Sequence, residues 1–228
     1  MYVLHVANKN YSSWSLRPWV LMRTLGIPFE ERVNPLPTGS SWNVYRQLSP
    51  NGRMPCLVDD GWAVWDSFAI VEYLAERHPG VWPADAKARA WARSAAAEMH
   101  SGFNALRGVC SMSCGVRVEL FEISGALKHD LFRLGDLWND GLARFGGPFL
   151  AGNRFSAVDA FFAPVAFRLK SYGLVVDGIA AGYPKRLLEL PAMREWYASA
   201  LAETWREPDH DAEICAAGAI VEDLRATA

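Results

Sequence analysis

An α/β unit followed by an all-α helical bundle is the architecture that this 228-residue sequence predicts. Three observations carry that prediction. Residues 2–77 alternate short β-branched or aromatic runs with stretches of helical spacing. The composition then changes at His78-Pro79-Gly80-Val81-Trp82-Pro83, where two prolines and a glycine fall within six residues. Beyond that break, apolar side chains recur at steps of three and four, and everything reads as helix.

The elements follow in order. Tyr2 to Ala7 has the alternation of a strand, and Ser15 to Leu25 has helical spacing that stops at Gly26, a residue suited to a left-handed C-cap. Phe29 to Val33 is a second strand, and strand, helix and strand at this spacing favour parallel pairing through a right-handed crossover. Pro35 to Leu48 reads as a loop and a short helix. Cys56–Val58 and Trp62–Val64 form a hairpin around Asp60-Gly61, and a helix from Ser67 to Arg77 is stopped by Pro79. The order βαβαββα is that of a thioredoxin-like domain, assigned to residues 1–78, with 79–85 as linker and 86–228 as the helical domain.

In the second unit Ala95, Met99, Phe103 and Leu106 form one core stripe, and Leu127, Leu131, Leu134, Trp138, Leu142 and Phe145 form another. Ser156-x-x-Asp159 is a capping box, with Phe155 placed as a hydrophobic staple, and Pro164 inside that helix is expected to kink it. Tyr183-Pro184 and Leu190-Pro191 introduce a last pair of helices that ends near Glu203.

Bulk properties narrow the function. An apolar content of 51%, with 12% aromatics, is ample for a buried core. The net charge of −2 without any basic block lacks the footprint of nonspecific nucleic-acid binding. No secretory signal is visible, and no apolar run approaches the ~18 residues of a membrane span, so the cytoplasm is the expected location. The four cysteines form no Cys-x-x-Cys pair, which argues against a zinc ribbon or a dithiol site; Cys110 and Cys114, one helical turn apart, read as small apolar residues packed in a helix. His5 and His100 are isolated and suggest neither a metal site nor a triad.

The run Pro50 to Ser67 is the most informative. Met54-Pro55 stands at the mouth of a strand, and a cis X-Pro bond there would turn the free N–H and C=O of Met54 toward a ligand strand. Asp66 or Ser67 opens a helix whose unpaired N–H groups and positive end favour a carboxylate, while the Asp66 carboxylate would hold an ammonium beside it. A small peptide with an amino group and a carboxylate at one end fits this receptor, and glutathione is such a ligand.

These residues resemble those of the glutathione transferases over nearly the whole chain. Asn51-Gly52-Arg53-Met54-Pro55-Cys56-Leu57 is similar to the family's Asn-Pro-x-Gly-Lys-Val-Pro-x-Leu stretch, and Asp66-Ser67 to the acidic-Ser pair that grips the γ-glutamyl end. Tyr11-Ser12-Ser13-Trp14-Ser15-Leu16-Arg17 resembles the Ser-Ser-Cys-Ser-Trp-Arg motif of the zeta class, except that Trp14 stands where that class has its cysteine. Serine-type thiol activation therefore carries over, and whatever rests on the zeta cysteine does not. Phe155 to Asp159 resembles the family's capping box in the helical domain.

The chemistry required is activation of a thiol. A thiol of pKa ~8.5 is only about 3% thiolate at neutral pH, and lowering the pKa by two units takes about 2.7 kcal/mol. A helix N-terminus supplies roughly 0.3–1 kcal/mol and one hydrogen bond to a charged group roughly 1.5–3 kcal/mol, so one serine hydroxyl suffices. Ser12 and Ser13 both lie before the first helix; either holds the thiol or merely caps the helix, and Ser12 aligns with the first serine of the zeta pair. Tyr11 is a rival donor. Asp66 serves as N-cap, as ligand group, or as both; Arg53 either reaches the glycyl carboxylate or is a solvated charge.

The expected function is thus a cytoplasmic, homodimeric, serine-type glutathione transferase of detoxification, joining glutathione to a small apolar electrophile. Catalysis is assigned to Ser12 and Ser13, and glutathione binding to Arg53, Met54, Pro55, Asp66 and Ser67. By family geometry, Trp14, Phe103, Met112 and Tyr172 line the electrophile pocket. Neither nucleic acid nor membrane is an expected partner. The alternatives are a glutathione-dependent isomerase or dehalogenase in the same site, and a non-catalytic interaction module on the same fold.

Overall fold

A computed structural model describes residues 1–35 and 42–227. The first unit contains β1 (Tyr2–Val6), α1 (Ser13–Leu25), β2 (Phe29–Val33), α2 (Trp42–Tyr45), β3 (Cys56–Asp59), β4 (Trp62–Trp65) and α3 (Ser67–Ala75). Its sheet has the order β2-β1-β3-β4. β1 and β2 are parallel, with Leu4 opposite Glu31, and the antiparallel pairing of β1 with β3 sets Leu4 opposite Leu57. α1 ends where expected: Gly26 has φ +68° and its N–H returns to the Arg23 and Met22 carbonyls. Part of the expected loop before α2, residues 36–41, lies outside the described residues.

The second unit is helical: α4 (Ala86–Ser101), α5 (Asn104–Val109), α6 (Gly125–Phe145), α7 (Ala157–Ser171), α8 (Tyr183–Leu188) and α9 (Pro191–Ala202). α7 is the central pillar, with every residue but Lys170 buried, because its side chains are apolar all round. It packs on α1, α4 and α8, so the two units share one continuous core that includes Trp19, Trp138, Phe161 and Trp196. This is the thioredoxin-like domain plus helical domain that the sequence predicts.

Three details differ from expectation. The stripe Ala95-Met99-Phe103-Leu106 does not run along one helix: α4 stops at Ser101, and Phe103 turns with φ +54° before α5. Cys110 and Cys114 follow the end of α5 and share no helix; both are buried free thiols, and burial pushes Cys110 up to about 12. Helices are also not all that follows the break. β5 (Val116–Leu120) pairs antiparallel with β6 (Gly218–Asp223), and α10 (Pro208–Ala217) leads into β6, beyond the last predicted helix. The alternation Val116-Arg117-Val118-Glu119-Leu120 is a strand pattern, but a five-residue strand needs a partner, and its partner lies almost one hundred residues away.

The end of α9 and the residue before β5 position the loop between β1 and α1. Glu203 accepts from the backbone N–H groups of Lys9 (2.7 Å) and Asn10 (3.1 Å), and Trp196 Nε1 donates to the Lys9 carbonyl (2.9 Å). The Asn10 side-chain oxygen takes the Gly115 N–H at 3.1 Å. These buried bonds fix the entry to α1, and Ser12 and Ser13 stand at that entry.

Candidate active site

Between the two units lies a cleft of about 510 Å³. The first unit contributes Ser12, Ser13, Trp14, Arg53 and Met54; the second contributes Arg107, Ser111, Met112, Arg168, His210 and Glu213. Two segments some forty residues apart in sequence, the serines and Met54, therefore face one space. Of the four expected pocket residues, Trp14 and Met112 line this cleft. Phe103 is buried at the head of α5, and the Tyr172 hydroxyl donates to the Ser111 carbonyl (2.8 Å) away from the lining.

Ser12 is the N-cap of α1. Its Oγ takes the Ser15 N–H at 3.4 Å and donates to Ser15 Oγ at 2.7 Å, while Ser15 Oγ accepts the Ala7 N–H at 3.1 Å. Capping uses a lone pair of the Ser12 oxygen, and the bond to Ser15 Oγ occupies its proton. The Ser13 hydroxyl instead accepts from Arg168 Nη2 at 3.5 Å, which leaves its own proton to donate into the cleft. Tyr11 is 2% exposed; its hydroxyl donates to Asp211 Oδ1 (3.1 Å) and accepts from Arg225 Nη1 (2.9 Å). Burial and the Asp211 carboxylate push this phenol up to about 12.

Met54 and Pro55 are joined by a cis bond just ahead of β3. The Met54 side chain packs in a small cluster with Ala7, Tyr45 and Cys56. The approach to it is a tight turn at Gly52, φ +63°, where a Cβ would sit 2.5 Å from the Trp42 ring. Arg53 is exposed at the cleft edge, and its N–H is held by Asn51 Oδ1 at 3.0 Å.

Asp66 has φ +73°, an unusual conformation for a residue with a side chain, and caps α3 by accepting the Phe68 N–H at 2.7 Å. Ser67 is buried, and its Oγ accepts from Arg17 Nη1 at 3.5 Å. Neither residue lines the main cleft; both are joined to it by a second group around Trp14. Arg17 lies 4.2 Å from the Trp14 ring centroid and 3.5 Å from His100 Nδ1, and His100 Nε2 stands 3.6 Å from Asp66 Oδ2. His100 is therefore not isolated, as its position in the sequence suggests. Burial pushes it down, against the raising effect of Asp66 and with Arg17 and Arg107 acting in the same direction as burial.

Arg17 is the residue the sequence reading leaves without a role. It is 2% exposed, meets no carboxylate within ion-pair distance among the described residues, and its Nε has no hydrogen-bond partner there. Burial, with repulsion from Arg107 and Arg168, pushes it down to about 9, still charged at neutral pH. Its position within the serine motif was a signal for it. Arg107 and Arg168 had none, because their neighbours come from distant segments. Among the described residues no group of three His, Cys, Asp or Glu is placed to hold a metal ion, and no helix is long and apolar enough to cross a membrane.

Comparison with known proteins agrees with this geometry. The glutathione S-transferase N-terminal domain matches residues 11–77 and the glutathione S-transferase C-terminal domain matches residues 124–199. The two matches together span more than half of the sequence, and the chain belongs to the glutathione S-transferase family. Glutathione S-transferase-like protein OpS6 of Beauveria bassiana is 26% identical over 210 residues, 84% of this chain and 89% of that protein. A stringent starvation protein A homolog of Haemophilus ducreyi is 24% identical over 162 residues, 70% of this chain and 71% of that protein. Among solved structures, a glutathione transferase homolog from Burkholderia gl BGR1 with bound glutathione superposes with a TM-score of 0.65 at 25% identity, covering 87% of this chain and 97% of that one.

Proposed function

We propose that this chain is a glutathione transferase that joins the glutathione thiolate to a small electrophile with an apolar body. The observation that carries this reading is the convergence of Ser12, Ser13 and Met54 on one cleft. In it the Met54 backbone pairs with the cysteinyl part of glutathione, and Arg53 meets the glycyl carboxylate. The γ-glutamyl end lies at the start of α3, its ammonium near Asp66 and its carboxylate near Ser67 and the buried Arg17. Pro55 holds Met54 in place. The reading keeps 1–78 as the glutathione domain, 79–85 as linker and 86–228 as the domain that shapes the electrophile pocket.

Activation is of the serine type. The resemblance points to Ser12 and the geometry to Ser13, whose proton is free; one of the two hydroxyls donates to the thiolate. The start of α1 and the Arg168 guanidinium favour the same anion. The thiol proton passes to solvent, the sulfur bonds the electrophilic carbon, and with an aryl chloride the C–Cl bond breaks and chloride leaves with its electron pair. Trp14 and Met112 supply apolar contacts for the electrophile. The family resemblance supports a homodimer, and four free cysteines, three of them buried, fit a reducing cytoplasm.

Calorimetric titration with glutathione tests the reading: binding at millimolar ligand or below is expected, followed by consumption of glutathione with a chloronitrobenzene. The second reading is a non-catalytic interaction module on the same fold, favoured by the Ser12 proton being taken by Ser15 Oγ rather than free for a thiol. Absence of glutathione binding at millimolar concentration selects it.

A further inference from the structure

We propose that Arg107 and Arg168 form a receptor for a carboxylate carried by the electrophile, so that the preferred acceptor is an organic acid rather than a neutral apolar molecule. The inference rests on the glutathione transferase reading and adds the chemical class of the second substrate.

Both arginines line the cleft from the helical unit. Arg168, only 6% exposed, donates through Nη1 to the carbonyls of Arg107 (3.2 Å) and Cys110. Arg107 donates through Nη1 to the carbonyls of His100 (3.3 Å) and Gly102 (3.2 Å), and its guanidinium lies 4.9 Å from the Trp14 ring centroid. Neither has a carboxylate within 4.0 Å among the described residues. Two other arginines are treated differently: Arg225 holds Asp211 at 2.6 Å and Asp223 at 2.7 Å, and the partly exposed Arg133 holds Glu98 at 2.7 Å; the buried Arg17, proposed above for the γ-glutamyl carboxylate, shares the lack of a carboxylate partner among the described residues. A desolvated cation held only by neutral carbonyl and hydroxyl oxygens is costly, and an anion supplied from outside repays that cost. One acid does line the cleft, Glu213, whose Oε2 accepts from Ser111 Oγ at 2.8 Å; against it stand Arg53, Arg107 and Arg168.

The pair belongs to the second unit, whereas Arg53, Met54 and the serines belong to the first; Arg168 Nη2 reaches Ser13 Oγ at 3.5 Å, so the pair adjoins the thiol site from the helical side. An acceptor lying against Trp14 and Met112 would direct its acid group to these two arginines and its reactive carbon toward the thiol. Burial pushes both guanidiniums down, with Arg168 at about 10, which matches cations placed without a partner.

The test uses 4-chloro-3-nitrobenzoate and its methyl ester, titrated by calorimetry into the protein alone and into protein saturated with the unreactive S-methylglutathione. The acid is expected to bind at least about tenfold more tightly than the ester, the loss typical for a hydrogen bond to a charged group. Arg107→Gln, at a half-buried position, should erase that preference, and Arg168→Met should do the same wherever its thermal melt shows a folded protein. Equal affinity for acid and ester, or no binding of the acid at millimolar concentration, overturns the proposal even if conjugation of neutral electrophiles proceeds. It is equally overturned if Arg107→Gln weakens glutathione but not glutathione monoethyl ester, since the pair would then hold the glycyl carboxylate. Failure of S-methylglutathione to bind while the acid preference persists defeats the transferase reading and leaves the anion receptor standing.

Discussion

Asp66 and Asp159 begin as the same sequence feature, an aspartate beside a serine at a helix start, and the structure gives them opposite surroundings. Asp159 is 0% exposed and both of its oxygens are used: Oδ1 accepts from Leu150 N–H (3.0 Å) and the Tyr183 hydroxyl (2.8 Å), Oδ2 from Ser156 N–H (2.9 Å). Asp66 has a side chain 43% exposed and a strained backbone; one oxygen caps α3, and the other faces His100 across 3.6 Å. A carboxylate saturated by its own chain is a structural member. One that keeps an oxygen in reserve, at the cost of backbone strain, is the one proposed above to meet a ligand, and the variants below test that role.

The contrast is broken most forcefully at Asp159. Asp159→Ala strands the Leu150 and Ser156 N–H groups and the Tyr183 hydroxyl in the core, and should cost about 3–5 kcal/mol in urea unfolding, near the whole stability of many domains. Burial lifts this carboxyl to about 6. Its folded pKa lies above the ordinary value, so its contribution is complete below about pH 4 and is lost as the pH rises through about 6. Asp159→Asn should flatten that part of a stability-versus-pH series. An unchanged slope would mean that these three donors hold the acid ionised throughout.

At Asp66 the expectation reverses. Asp66→Ala should cost only about 1 kcal/mol of stability, the usual worth of an N-cap, yet weaken glutathione roughly ten- to a hundredfold. Ser67→Ala should weaken it similarly, because Arg17 would lose its one hydroxyl neighbour on that side. Calorimetry on folded variants checks both, and unchanged affinity in the pair would put the γ-glutamyl end elsewhere.

The serines extend the comparison to α1. Replacing the hydroxyl that serves the thiol should raise the pKa of bound glutathione by one to two units, at about 1.4 kcal/mol per unit, with little change in affinity. Ser12→Ala should in addition lose about 0.5–2 kcal/mol of stability, because Ser12 caps α1, whereas Ser13→Ala should not. Thiolate ultraviolet absorbance followed against pH in both variants assigns the role; if neither shifts, the serine mechanism fails.

Legibility followed the range of the interactions. The βαβαββα order, the Gly26 cap, the cis Met54-Pro55 bond and the Ser156-Asp159 box were readable because each is decided within a few residues. Arg107 and Arg168 were not, since what matters about them is the absence of acids from three other segments. Nor was the β5–β6 pair, whose strands are individually weak and become stable only together. The same holds for Asp66 and Asp159, whose difference lies in the partners that the fold brings to them.

Tyr11 is the quietest case and tests whether a hydroxyl near the cleft is enough to make a thiol donor. It lines the cleft beside Ser12, yet its proton goes to Asp211 and its oxygen receives Arg225, which ties α1's entry to the returning C-terminal segment. Burial and Asp211 raise its pKa, which makes it a poorer proton donor to a thiolate than an ordinary phenol. Tyr11→Phe should therefore leave the thiol titration where it is and cost about 1–3 kcal/mol of stability, from two lost hydrogen bonds in a partly buried network whose Arg225–Asp211 pair remains. The loss should be local, seen as faster hydrogen exchange in α10 while the exchange of α7 stays unchanged. A thiol pKa that rises in Tyr11→Phe, with both serine variants unshifted, would make the tyrosine the donor and leave Ser12 as a helix cap and Ser13 as an Arg168 contact.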